Sequence, residues 1–274
     1  MASIGADDIR NYYVGTKFQF TYYFRSRRFI GLLIFSILIT ILILFLDLHY
    51  DYSALKAENS AAFLYNYLSN GIIAYFAILA AFFGGDMISM DLGTSTAFYT
   101  LVQPIKRSVL YLGRYTAAFL STLAFVSILY IGAIAGSLYL YRTVSALILP
   151  SFGFALLYML ALISFATLFS AIFKTPSIGL VVSILFLILV YPAIQGIISA
   201  LAGINPWMFV TYAGEMIYLV FSKNYVVYSV TNTQFAYLYT FNPTGDEAIL
   251  IMIGYIIVFS LVSMIVFTKK EIKG

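Results

Sequence analysis

The side chains in this 274-residue chain that could do chemistry are few, and their spacing narrows what that chemistry is. His49 is the only histidine and stands between Asp47 and Asp51, with no second nitrogen ligand to complete a metal site. Cysteine is absent, which excludes disulfides, thiolate nucleophiles and Cys-ligated metals. No Ser/His or Glu/Glu/His set of an intramembrane hydrolase can be assembled, so neither a catalytic residue nor a metal is expected. The chain has no G-x-x-x-x-G-K-[ST] loop and no Gly-Lys pair, and so lacks the backbone cradle and lysine that hold nucleotide phosphates. It is expected to bind no cofactor. Two carboxylates remain of interest: Asp86, at the end of an apolar run just after Gly84 and Gly85, and Glu215, in an aromatic stretch that follows Trp207.

What positions these groups is six stretches free of Asp, Glu, Lys, Arg and His, covering more than half of the chain: 29–46, 68–85, 115–139, 144–173, 177–202 and 248–268. At about 1.5 Å per residue each can cross a hydrocarbon core of roughly 30 Å, allowing for interfacial flanks and tilt. The composition, 62% hydrophobic and 9% charged, leaves no room for a separate soluble domain. The first stretch follows 28 residues rich in Arg and aromatics and has no small-residue cleavage site after it, so it reads as a retained span. The fold expected is an all-α membrane protein of six spans.

Basic residues set the orientation. With the N-terminus in the cytoplasm, Arg10, Lys17, Arg25, Arg27, Arg28, Lys106, Arg107, Arg114, Lys174, Lys269, Lys270 and Lys273 lie inside, and only Lys56, Arg142 and Lys223 outside. Both termini are therefore expected in the cytoplasm. The net charge of +4 belongs to this topology, and no basic and aromatic groove for nucleic acid exists outside the bilayer flanks.

Residues 1–28 form the first unit. At 100° per residue Arg10, Lys17 and Arg28 share a narrow stripe with Tyr12 and Tyr23 nearly opposite, the pattern of an amphipathic helix lying on the inner leaflet. Residues 29–274 form the six-span unit. Within it, the loop 86–108 between spans 2 and 3 holds a short helix: Thr94 can cap it, Phe98, Leu101 and Val102 share a face, and Pro104 stops it. Such a helix suits docking into a partner's groove. The outer segment 203–247 is divided by the turn signals Asn205-Pro206, Ser222-Lys223-Asn224 and Asn242-Pro243, and is expected to hold short helices packed against the membrane.

The order Asp91, one residue, Gly93-Thr94, about ten residues, Pro104, Arg107, and then Leu112-Gly113-Arg114 opening the third span resembles the permease subunits of type-2 ABC exporters. The six spans, the amphipathic N-terminal helix and Ile204-Asn205-Pro206-Trp207 beyond the fifth span extend the likeness over nearly the whole chain. The family usually carries Glu where Asp91 stands.

The resemblance implies a short coupling helix between spans 2 and 3 and outer re-entrant or interfacial helices between spans 5 and 6. It also implies a separate ABC-type ATPase, two copies per complex, which uses ATP and Mg, and a second permease protomer, the same chain or a homologue, with the substrate route between the two. Asp91, Gly93, Thr94, Phe98, Leu101, Val102, Pro104 and Arg107 would then contact the ATPase, while Glu215 and Trp207 would stand near the route or its exit. A prokaryotic plasma membrane fits the size and the split subunits. Cores without charge disfavour an inorganic ion and suit an apolar or amphipathic cargo such as a lipid, peptide, drug-like compound or glycan. The alternatives are a secondary transporter without ATPase and a membrane scaffold or sensor that moves nothing.

Overall fold

The computed structural model of the protein describes residues 6–50, 59–90, 106–223, 225–232 and 237–269. The chain runs through helices α1 (Ala6–Arg25), α2 (Arg27–Tyr50), α3 (Ser60–Ser69), α4 (Ile72–Gly84), α5 (Arg107–Tyr141) and α6 (Ile148–Ile172). It continues through α7 (Pro176–Ile184), a π-helical turn (Leu185–Val190), α8 (Tyr191–Ala200), α9 (Val210–Gly214) and α10 (Met216–Leu219), then strands β1 (Tyr228–Asn232) and β2 (Tyr237–Phe241), and ends in α11 (Gly245–Lys269). Among the described residues five helical segments are long and apolar enough to cross a membrane: Arg27–His49, Arg107–Tyr141, Ile148–Ile172, Pro176–Ala200 and Gly245–Lys269. Within hydrocarbon an unbroken helix satisfies every backbone polar group by itself, which is why uncharged runs of this length fold this way.

The second uncharged run does not form one straight helix. Gly71 sits at φ 88°, a left-handed conformation open to glycine, and α3 and α4 meet there at 50°. Asn59 starts α3 by accepting the Ala62 N–H at 3.0 Å.

The N-terminal helix also differs from its expected extent. It stops at Arg25, because the Ser26 hydroxyl donates to the Tyr23 carbonyl at 2.8 Å and accepts the Phe29 N–H at 3.2 Å, closing one helix and capping the next. Arg28 therefore belongs to α2, not to the stripe of Arg10 and Lys17, both exposed on α1. Helix α1 packs along the start of α5, where a Cβ on Gly113 would lie 3.3 Å from the Thr16 amide.

Close backbone approach binds the bundle elsewhere. A Cβ on Gly179 of α7 would lie 2.5 Å from the Gly85 carbonyl, and one on Gly84 would lie 2.9 Å from the Ile163 carbonyl of α6. Gly136 of α5 makes room for Phe63 of α3 and Leu44 of α2. The core fills with Phe63, Tyr67, Phe76, Phe125 and Tyr158, each buried.

The segment between α8 and α11 contains an element its sequence reading leaves out. Besides the short helices α9 and α10 it has an antiparallel hairpin, with Tyr228 opposite Phe241 and Val230 opposite Tyr239. Its β-branched and aromatic residues favour a pleated strand. The last helix opens with a reciprocal cap in which Thr244 Oγ1 accepts the Glu247 N–H at 3.3 Å and a Glu247 oxygen accepts the Thr244 N–H at 3.4 Å.

Candidate functional site

Two constellations stand out, one on the described residues that flank 91–105 and one at the opposite end. At the first, residues 86–89 are buried although α4 has ended. Ser170 of α6 explains how: its hydroxyl accepts the N–H groups of Ile88 at 2.8 Å and Ser89 at 3.0 Å. The guanidinium of Arg114 on α5 donates to the Met87 carbonyl at 3.4 Å. Asp86 pairs with Arg28 at 3.0 Å, and the Tyr23 hydroxyl of α1 reaches the Phe83 carbonyl at 3.1 Å. Burial pushes the Asp86 carboxyl up to about 6, against the opposing pull of Arg28.

The other end of the segment is fastened too. Lys106 pairs with Asp8 of α1 at 2.7 Å. Arg107 donates to the carbonyls of Phe267 at 3.4 Å and Thr268 at 3.0 Å, which end α11 and place a cation at the negative end of that helix. The expected contact residues Asp91, Gly93, Thr94, Phe98, Leu101, Val102 and Pro104 lie outside the described residues; Arg107 of that set holds the last helix.

At the opposite end a cavity of about 390 Å³ opens beside the α3–α4 break. Ile73, Ala74, Leu187 and Ile188 supply its apolar wall, and Gln195, Thr211 and Glu215 its polar one. The polar three form a chain: Thr211 donates to the Gln195 carbonyl oxygen at 2.7 Å, and the Gln195 amide donates to Glu215 at 2.7 Å. Helix α8 follows directly on the π-helical turn, with Pro192 in its first turn and Gln195 three residues further on. Burial lifts the Glu215 carboxyl to about 7, with the Gln195 hydrogen bond opposing. Trp207, by contrast, is exposed and does not line the cavity.

A larger hollow of about 620 Å³ lies on the other side of the same break, between α2, α4 and α5. Its polar end holds Asp47 and Asn70, whose side chains meet at 3.2 Å. His49 stacks on Phe45 within α2, with ring centroids 5.4 Å apart.

Sequence reasoning singled out Glu215 and missed its partners. Gln195 is the only carboxamide in the uncharged run 177–202, and that was the available signal. Ser170 gave none, since serines are scattered through every span. Comparison of the chain with family models and with curated proteins returns no match.

Proposed function

We propose that this chain is the membrane-spanning subunit of an ATP-driven exporter. In this reading the bent pair α3–α4 is one span, giving six, with both termini in the cytoplasm. Helix α1 lies at the inner interface, and α9 and α10 dip into the outer face. Segment 91–105 is the contact for a separate ATPase that binds Mg and ATP, and two protomers with two ATPases make the working assembly.

One observation carries the reading: both ends of segment 91–105 are fastened into the bundle, through Ser170, Arg114 and Arg28 before it and through Asp8 and the end of α11 after it. A force applied to that segment would reach α1, α2, α4, α5, α6 and α11 together, whereas an ordinary connector needs no such fastening. Cargo would pass between protomers along apolar walls, which suits an apolar or amphipathic molecule.

The test is affinity purification of the tagged chain from its native membranes. A stoichiometric Mg-dependent ATPase should coelute with the unaltered chain and be lost with Phe98→Ala plus Leu101→Ala, since a buried apolar side chain contributes about 1.5 to 3 kcal/mol. Coelution of no ATPase with the unaltered chain would overturn the reading. A secondary transporter is the second reading, favoured by the Glu215 carboxyl near neutrality, and it requires a proton gradient and no ATP.

A further inference from the structure

We propose that the cavity beside Glu215 binds an amphipathic organic cation, with the Glu215 carboxylate as counter-charge and with Gln195 and Thr211 holding that carboxylate in position. Resting on the permease reading above, this names the chemical class of the cargo.

Three observations carry it. First, about 390 Å³ is enough for a drug-sized molecule, and the walls at Ile73, Leu187 and Ile188 offer it apolar surface. Second, Glu215 is the single charged residue in the lining, and among the described residues it takes part in no ion pair. An anion would meet like charge at half-buried depth, and a neutral guest would remove water from the carboxylate without replacing it. A cation with an apolar body satisfies both parts of the lining.

Third, the carboxylate is held rather than loose. Gln195 spends its amide on Glu215 and its carbonyl oxygen on Thr211, which fixes the orientation of the carboxylate relative to α8 and α9.

The groups around Glu215 leave it the one that titrates near neutrality. Tyr158 faces it from α6, Tyr212 from α9 and Tyr218 from α10. Burial pushes the phenols of Tyr212 and Tyr218 far upward, so they stay neutral. Glu247, beyond Tyr212, accepts from the Asn205 amide at 3.0 Å. Because the Glu215 carboxyl lies near 7, it carries full charge only above that pH, and cation affinity should rise with pH across the window from about 6 to 8.

The experiment is equilibrium dialysis of the purified full chain in lipid nanodiscs against tetraphenylphosphonium and against tetraphenylborate, which has the same shape and the opposite charge. Protein-free nanodiscs supply the background. Expected are saturable phosphonium binding, affinity at pH 8 several-fold above that at pH 6, and no saturable borate binding. Glu215→Gln, which keeps an oxygen to accept from Gln195, should weaken phosphonium binding by at least about tenfold and remove the pH dependence. Phosphonium binding that is absent, unchanged between pH 6 and 8, matched by the borate, or unaffected by Glu215→Gln would overturn the inference. The pH series on the unaltered chain needs no variant. Dialysis uses neither ATPase nor nucleotide, so loss of the exporter reading and loss of this site give separate results.

Discussion

Removing one hydroxyl should loosen the entrance to segment 91–105 more than its size suggests. Ser170 Oγ accepts two backbone N–H groups from a different part of the chain, those of Ile88 and Ser89, at a place where both residues are buried. Ser170→Ala leaves two buried donors without that acceptor. At about 1 to 3 kcal/mol for each such group, the loss is roughly 2 to 6 kcal/mol, the upper part appearing only if water cannot enter.

The control is Ser183→Ala: Ser183 is equally buried but donates only to the Gly179 carbonyl of its own helix, at 2.7 Å. That change should cost no more than about 1 kcal/mol. Hydrogen exchange of the purified chain reads the difference locally, because a 1.4 kcal/mol easier opening is about tenfold faster exchange. Amides 87–90 should exchange at least about tenfold faster in Ser170→Ala and unchanged in Ser183→Ala. Equal exchange in both variants would show that the hydroxyl does not fasten this segment.

Gly179→Ala should destabilise the chain by about 1 to 3 kcal/mol in a detergent unfolding titration, since its methyl would meet the Gly85 carbonyl, whereas Gly254→Ala, facing open space, should be neutral or stabilising. Asp86 binds its proton more tightly in the folded chain than in the unfolded one, so its contribution to stability is present at low pH and falls as pH rises from about 4 to about 6. Asp86→Asn should flatten that part of the stability profile, and a profile unchanged by the substitution would refute the assignment. Since the native chain has no cysteine, single cysteines at Ser3, Ser95 and Lys273 should label only from the cytoplasm, and those at Ser53 and Ser229 only from outside. Outside labelling at Ser95 would reverse the orientation.

How far the sequence could be read depended on the kind of interaction involved. Membrane helices were legible because hydrocarbon imposes one demand, an uncharged run of sufficient length, and runs such as 144–173 and 248–268 meet it. Their ends were less so: the Ser26 break and the Gly71 bend are each set by one residue of a type that also occurs inside the unbroken helices, as Ser121 and Gly132 do in α5. Gly132 and Gly136, four residues apart on α5, admit close neighbours from α2 and α3, namely Thr40, Leu44, Phe63 and Tyr67. Glu215 was visible as a carboxylate in an apolar setting. Its hydrogen-bond chain was not, because Gln195 and Thr211 lie 20 and 4 residues away and meet it only after the chain turns back on α8. The hairpin escaped because its alternation, Tyr228 to Asn232, is only five residues long and lies in a stretch read for helices.

The proposed function implies that a stroke delivered to segment 91–105 changes the cavity at the opposite end of the bundle. Ile73→Cys places a single thiol on the wall of that cavity in a chain with no other cysteine. Its reaction with a membrane-impermeant maleimide added from outside should change severalfold when the copurified ATPase is trapped with Mg-ATP and vanadate, and the change should vanish with Phe98→Ala plus Leu101→Ala. An identical labelling rate with and without trapped nucleotide, in an assembly that retains its ATPase, would contradict the account.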